Sequence, residues 1–130
     1  MATDGLTTIE SRYGPEETMN RFEAEVRARG LTVFAHIDHA AGAAAAGLPL
    51  RPTEFLIFGN ARAGTPLMQT AQTAGIDLPL KALVWQDATG TAWLSYNDPE
   101  FLAKRHGVDI TAIAAMATTL STIAKKATAP

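Results

Sequence analysis

The chain has 130 residues, 47% of them apolar and 18% charged, with eleven Lys and Arg against thirteen Asp and Glu and no cysteine. That is enough for one compact core, too little for two ordinary domains, and unlike the composition of a disordered chain. A formal charge of −2 with no basic run longer than Lys125-Lys126 argues against an electrostatic grip on nucleic acid or an anionic membrane, and the missing cysteines remove disulfides, thiol nucleophiles and cysteine-ligated zinc.

Met1 to Gly5 shows no basic start leading into an apolar stretch, and no window approaches the ~20 apolar residues that cross a bilayer. A cytoplasmic chain folding as a single domain, with an ordered core from about residue 6 to about 127, is therefore expected. Leu6 to Tyr13 is β-rich and ends at Gly14-Pro15, which predicts a first strand. Pro15, Glu16 and Glu17 suit a first helical turn, and Met19, Phe22 and Val26 then recur at spacings of three and four, the mark of an amphipathic helix closed by Gly30. From Leu31 to Asp38, Leu31, Val33, Ala35 and Ile37 alternate with Thr32, Phe34, His36 and Asp38, which predicts a strand with Phe34 and His36 on one face.

Asp38 caps a short alanine-rich helix that Gly47 ends. Phe55 to Phe58 is a continuous apolar run, read as a strand in the middle of a sheet. After Gly59-Asn60-Ala61-Arg62-Ala63-Gly64, the pair Thr65-Pro66 supplies a cap and a first-turn proline for a helix to about Ala74. Leu80 to Asp87 and Thr91 to Tyr96 form a hairpin across Asp87-Ala88-Thr89-Gly90. If a type I turn with a left-handed glycine bulge joins them, Trp85 lies opposite Trp93 on one face with Leu83 and Ser95; a four-residue loop would separate the tryptophans. Asp98-Pro99 opens a short helix stopped by Gly107, and Ile110, Ile113, Ala117, Leu120 and Ala124 trace one face of a last helix ending in Lys125-Lys126.

The expected fold is α+β, a two-layer sandwich in the order β-α-β-α-β-α-β-β-α-α, with a mixed five-stranded sheet and helices mainly on one face. Motifs for chemistry are sparse. The three histidines, His36, His39 and His106, form no metal-ligand spacing, and there is no Walker loop, dinucleotide fingerprint or nucleophile elbow, so neither metal nor cofactor is expected. The turn from Gly59 to Thr65 leads from a buried strand into a helix, an order of parts that suits an anion, with Arg62 as a charged contact. Phe34, His36, Trp85 and Trp93, on a sheet face that the helices do not cover, suit a homodimer interface.

The stretches Thr32 to His39, Leu50 to Asn60, Gly64 to Met68 and Leu78 to Trp85, with Tyr96-Asn97, resemble the bacterial and archaeal domain of unknown function 302 family, in its order and from about Leu6 to the final helix. The resemblance implies a compact α+β domain that tends to pair. It implies no catalytic role, and its motif positions place any family site at Asp38, His39, Asn60, Gly64, Thr65, Tyr96 and Asn97.

The leading expectation is a homo-oligomeric binding domain for a small anionic or polar ligand near Asn60, Arg62, Gly64 and Thr65. The alternatives are an enzyme using His39 with Asp38 as acid or base in a pocket shared with Tyr96 and Asn97, and a purely structural or protein-interaction module.

Overall fold

Glycines in the left-handed region and prolines at first helical turns divide the chain where the sequence places them. The computed structural model describes residues 3–130, the side chains of Ile110 and Ala112 excepted. Its elements are β1 (Leu6–Glu10), α1 (Pro15–Ala28), β2 (Thr32–Asp38), α2 (His39–Ala45), β3 (Thr53–Gly59), α3 (Ala61–Thr70), a 3-10 turn (Gln72–Asp77), β4 (Leu80–Gln86), β5 (Ala92–Asn97), α4 (Pro99–Arg105), a second 3-10 turn (Ile110–Ile113) and α5 (Ala114–Thr128). Gly30, Gly47 and Gly107 adopt positive φ just past α1, α2 and α4, where a side chain would be strained.

The five strands form one sheet in the order β1-β5-β4-β3-β2. Every neighbouring pair is antiparallel, which corrects the expected mixed sheet. The reason is topological: β2 to β5 run as a meander, each connection reversing the chain, and β1 joins the β5 edge while α1 carries the chain across to β2 at the other edge. The apolar run in β3 therefore lies between β2 and β4, and β4 is the central strand.

The core lies between the sheet and the helix pair α1 and α5. Met19, Phe22 and Val26 of α1 and Leu120, Ile123, Ala124 and Ala127 of α5 close over Leu56, Phe58, Ala82, Val84, Leu94 and Tyr96. Phe22 and Phe58 meet edge to face with ring centroids 5.3 Å apart. Both rings are fully buried, so truncating Phe22 to Ala would cost about 3–5 kcal/mol. A smaller cluster of Leu67, Ala103, Val108 and Ile113 holds α3 against α4 and the turn before α5.

Three local readings change. The register of β2 shifts between Val33 and Ala35, a bulge that makes Phe34 the extra residue. His36 then pairs with Leu56, on the helix-covered face, while Ala35 and Ile37 pair with Ile57 and Phe55 on the other. His36 therefore does not share a face with Trp85 and Trp93, and Phe34, as the bulged residue, stands outside the alternation. The third helix begins at Ala61, not Thr65, because Asn60 caps it: its Oδ1 accepts from the Arg62 amide at 2.8 Å, and its carbonyl accepts from the Ala63 and Gly64 amides. Thr65 and Pro66 lie inside the helix, which ends at Thr70. The last helix starts at Ala114 after a 3-10 turn, and the side chain of Ile110 falls outside the described residues.

The hairpin follows the bulged reading. Asp87 donates its amide to Thr91, Gly90 closes the turn onto the Asp87 carbonyl with φ +89°, and Trp85 pairs with Trp93.

Candidate functional site

The end of β3 and the start of α3 form one wall of a pocket of about 680 Å³. Its floor is apolar because the residues that finish the core on this side, Phe58, Leu80, Leu120 and Ile123, meet Leu67 of α3 and Met116 of α5 without filling the space between them. The bulge in β2 carries Phe34 to the rim, where the ring is 55% exposed and lies against Gly59. Pro79 and Leu78 line the opposite edge. Among the described lining residues Arg62 is the one charged side chain, and there is no carboxylate. The size and the balance of many apolar walls with few polar groups are those of small-molecule sites.

Four of the predicted ligand residues, Asn60, Arg62, Gly64 and Thr65, line this pocket, although the amides expected to face an anion before Thr65 are engaged within α3. Asp38, His39, Tyr96 and Asn97 are not part of it. The Asp38 carboxylate caps α2 by accepting from the Ala41 amide at 2.9 Å, and His39 is exposed with its ring 5.9 Å from that of Phe55. Tyr96 is buried on the helix-covered face of β5, where burial above all raises its hydroxyl pKa. Between β2 and β5 stand β3 and β4, three strand spacings or about 14 Å, so the structure does not assemble His39, Asp38, Tyr96 and Asn97 into one acid–base centre.

The second sheet face is apolar and only partly covered. Trp85 and Trp93 stack there with centroids 6.0 Å apart and planes at 23°, beside Phe55, Ile57 and Leu83. Both indole N–H groups are satisfied within the chain, Trp85 by the Ser95 hydroxyl and Trp93 by the Asp87 carboxylate, which leaves the ring surfaces without polar demands. Lys81 flanks this patch, donating to the Pro79 carbonyl at 3.0 Å. Burial draws its pKa below the usual lysine range, against the opposing pull of Asp77. On the helix-covered face His36 stands between two carboxylates, Glu23 at 3.6 Å and Glu54 at 3.4 Å.

One cluster has no signature in the sequence. His106 Nε2 lies 2.6 Å from Asp77 Oδ2, and its Nδ1 lies 2.9 Å from the Thr73 hydroxyl. Arg105 holds the same carboxylate with two bonds of 3.0 and 3.1 Å. Because the carboxylate only accepts, Nε2 carries a hydrogen, and the Thr73 hydroxyl can serve Nδ1 in either charge state. These contacts tie α4 to the Gln72–Asp77 turn across about thirty residues of chain. The only local cue is position: His106 caps α4 and Asp77 ends a turn.

The family described as a domain of unknown function, DUF302, matches residues 7–127. The fluoride-specific ion channel FluC 1 of Brucella suis biovar 1 is 48% identical over 126 residues, covering 95% of this chain and 50% of that protein. FluC 1 of Brucella abortus biovar 1 and FluC 2 of Brucella melitensis biotype 1 are likewise 48% identical, with 47% of each covered. The chain thus spans about half the length of the curated relatives it matches. A crystal structure of an uncharacterized conserved DUF302 protein from Bacillus stearothermophilus shares the fold, with TM-score 0.85 over 96% of this chain and 99% of that one at 20% identity. Among the described residues no helix is long and apolar enough to cross a membrane, and no group of three or more His, Cys, Asp or Glu could hold a metal ion.

Proposed function

The chain belongs to the DUF302 family, and we propose that it is a binding domain whose small, largely apolar ligand occupies the pocket between α3 and α5. The observation that supports this reading is the pocket itself, a volume of about 680 Å³ that runs from the exposed first turns of α3 down to the core residues Phe58, Leu67, Leu120 and Ile123. The cleft opens to solvent, so its apolar lining faces water and lacks the contacts that close packing supplies. A ligand restores them.

In the relatives named fluoride-specific ion channels, conduction needs segments that cross the bilayer. The half of those proteins outside the match would supply them.

Gly64 offers the test. A Cβ there meets only Leu78, at an ordinary 3.7 Å, so Gly64→Phe places a ring beside the pocket without a backbone collision. Replacing glycine inside α3 also removes its helix penalty of up to about 1 kcal/mol. Titration with the neutral fluorescent probe N-phenyl-1-naphthylamine should saturate at one site in the parent chain and weaken at least about tenfold in Gly64→Phe, while the melting temperature holds. Saturable binding that Gly64→Phe leaves unchanged sinks the reading.

A second reading concerns assembly. The stacked Trp85 and Trp93, with their N–H groups already bonded, support a homodimer through the open sheet face. Burying large aromatic rings is worth roughly 1.5–3 kcal/mol each. Light scattering at micromolar concentration should return about twice the 13.8 kDa chain mass, and Trp93→Arg should return the monomer. A monomeric parent chain rules the dimer out.

A further inference from the structure

Resting on the reading that the pocket binds an apolar molecule, we infer that the ligand is an anionic amphiphile, a carboxylate on an apolar tail, with its head at Arg62 and Asn60. Arg62 is the single charged residue among the described lining residues, and its guanidinium has no carboxylate or carbonyl partner among the described residues. The salt bridges among the described residues lie elsewhere, along α1, at His36 and at Asp77. Asn60 stands beside it on the same first turn of α3. Its Oδ1 is committed to the Arg62 amide, which turns the remaining function of the side chain, the NH2, into a donor with no partner among the described residues.

The mouth therefore presents donors and one positive charge, with no acidic side chain to oppose an anion. A guanidinium flanked by an amide N–H suits a carboxylate, whose two oxygens only accept. A neutral alcohol uses one of these donors, and a cationic head meets Arg62 as a like charge. Behind the mouth the lining is mostly apolar, with Leu78, Leu80 and Met116 half-buried over the closed core residues Leu67, Leu120 and Ile123, and Thr119 as the polar side chain from α5. The charge complement and the apolar depth together specify a ligand with one anionic end.

Competition against N-phenyl-1-naphthylamine separates this inference from the one beneath it. With the parent chain, decanoate should displace the probe at least about tenfold better than 1-decanol, the margin of one charge-assisted contact, and decyltrimethylammonium should be weakest. Arg62→Gln should bring decanoate to the level of decanol while the melting temperature holds, a loss of the anion's advantage that a merely unfolded variant does not show. If the probe binds and is lost in Gly64→Phe but decanoate and decanol compete equally, the pocket stands and the anionic head is wrong. If decanoate wins equally in parent and Arg62→Gln, the head does not lie at Arg62 and the inference fails. If the probe does not saturate, or Gly64→Phe leaves it unchanged, the pocket reading fails and the amphiphile goes with it.

Discussion

The Trp93 indole donates to the Asp87 carboxylate at 2.8 Å, so the residue that opens the β4–β5 turn also holds one ring of the stacked pair on the open sheet face. Asp87 accepts in addition from the Thr89 amide and hydroxyl at 2.9 and 2.7 Å and from the Thr91 amide at 3.0 Å. These donors, Trp93 foremost, hold its pKa down to about 2. The unfolded chain regains an ordinary aspartate near the model-peptide value of ~3.9, so unfolding takes up a proton between that value and about 2. The stabilisation from Asp87 is complete above about pH 4 and disappears as the pH falls through 2. Urea midpoints followed by tryptophan emission should drop over this window in the parent chain, and less steeply in Asp87→Asn. Equal slopes in the two proteins would show that the carboxylate is not held by the turn.

The same turn separates backbone strain from side-chain loss. Gly90 sits at φ +89° with nothing within 4 Å of a built Cβ, so Gly90→Val meets no clash and its cost is conformational, roughly 1–2 kcal/mol or more. Thr89→Ala gives up an exposed hydroxyl bond to Asp87 and a longer one, 3.3 Å, to the Thr91 hydroxyl, about 0.5–1 kcal/mol. Chemical denaturation of both variants should rank Gly90→Val well below Thr89→Ala. Equal small losses would mean that the turn does not depend on the left-handed position.

Why the hairpin was legible and β2 was not is a matter of where the information lies. Asp87 and Gly90 carry their turn geometry locally, and the Trp85–Trp93 pairing follows by counting outward. The alternation in Leu31 to Asp38 is equally regular on paper, but a bulge is decided by the partner strand, and one extra residue at Phe34 moves His36 from the Trp face to the carboxylates of Glu23 and Glu54. At α3 two capping signals compete, Asn60 and Thr65, and the earlier one begins the helix although Pro66 then falls inside it. The turn from Gly59 to Thr65, read from the sequence as an anion site, lies in a pocket wall, while the apolar lining opposite it comes from α5, far away in the chain. The His106–Asp77 contact spans 29 residues and leaves no local pattern at all.

That contact should hold the wall of the pocket as well as α4. His106 is 7% exposed in its side chain and Asp77 15%, so the pair is shielded enough for its bonds to count. His106→Ala removes one of the two partners of a largely buried carboxylate, leaving Arg105, and is expected to cost about 1–3 kcal/mol. Leu67, Leu78 and Met116 touch both this region and the main pocket, so the loss should also weaken probe binding. Differential scanning calorimetry and probe titration on His106→Ala and His106→Gln would check it. A variant with the parent melting temperature would show that Arg105 alone suffices to hold Asp77.

Deleting Phe34 tests the bulge and the pocket rim together. Val33 pairs with Phe58 and Ala35 with Ile57, residues that are consecutive on β3, so removal of Phe34 leaves a regular ladder in which every other β2 residue keeps its partner and its face. The chain should still fold, with a melting temperature within a few degrees of the parent, since the deleted ring is 55% exposed. Probe affinity should fall severalfold, because Phe34 closes one side of the pocket. Phe34→Ser keeps the bulge and removes only the ring, so it should match the deletion in affinity. Deletion that unfolds the chain while Phe34→Ser does not would place the extra residue elsewhere in β2, and parent-like affinity in both variants would remove Phe34 from the site.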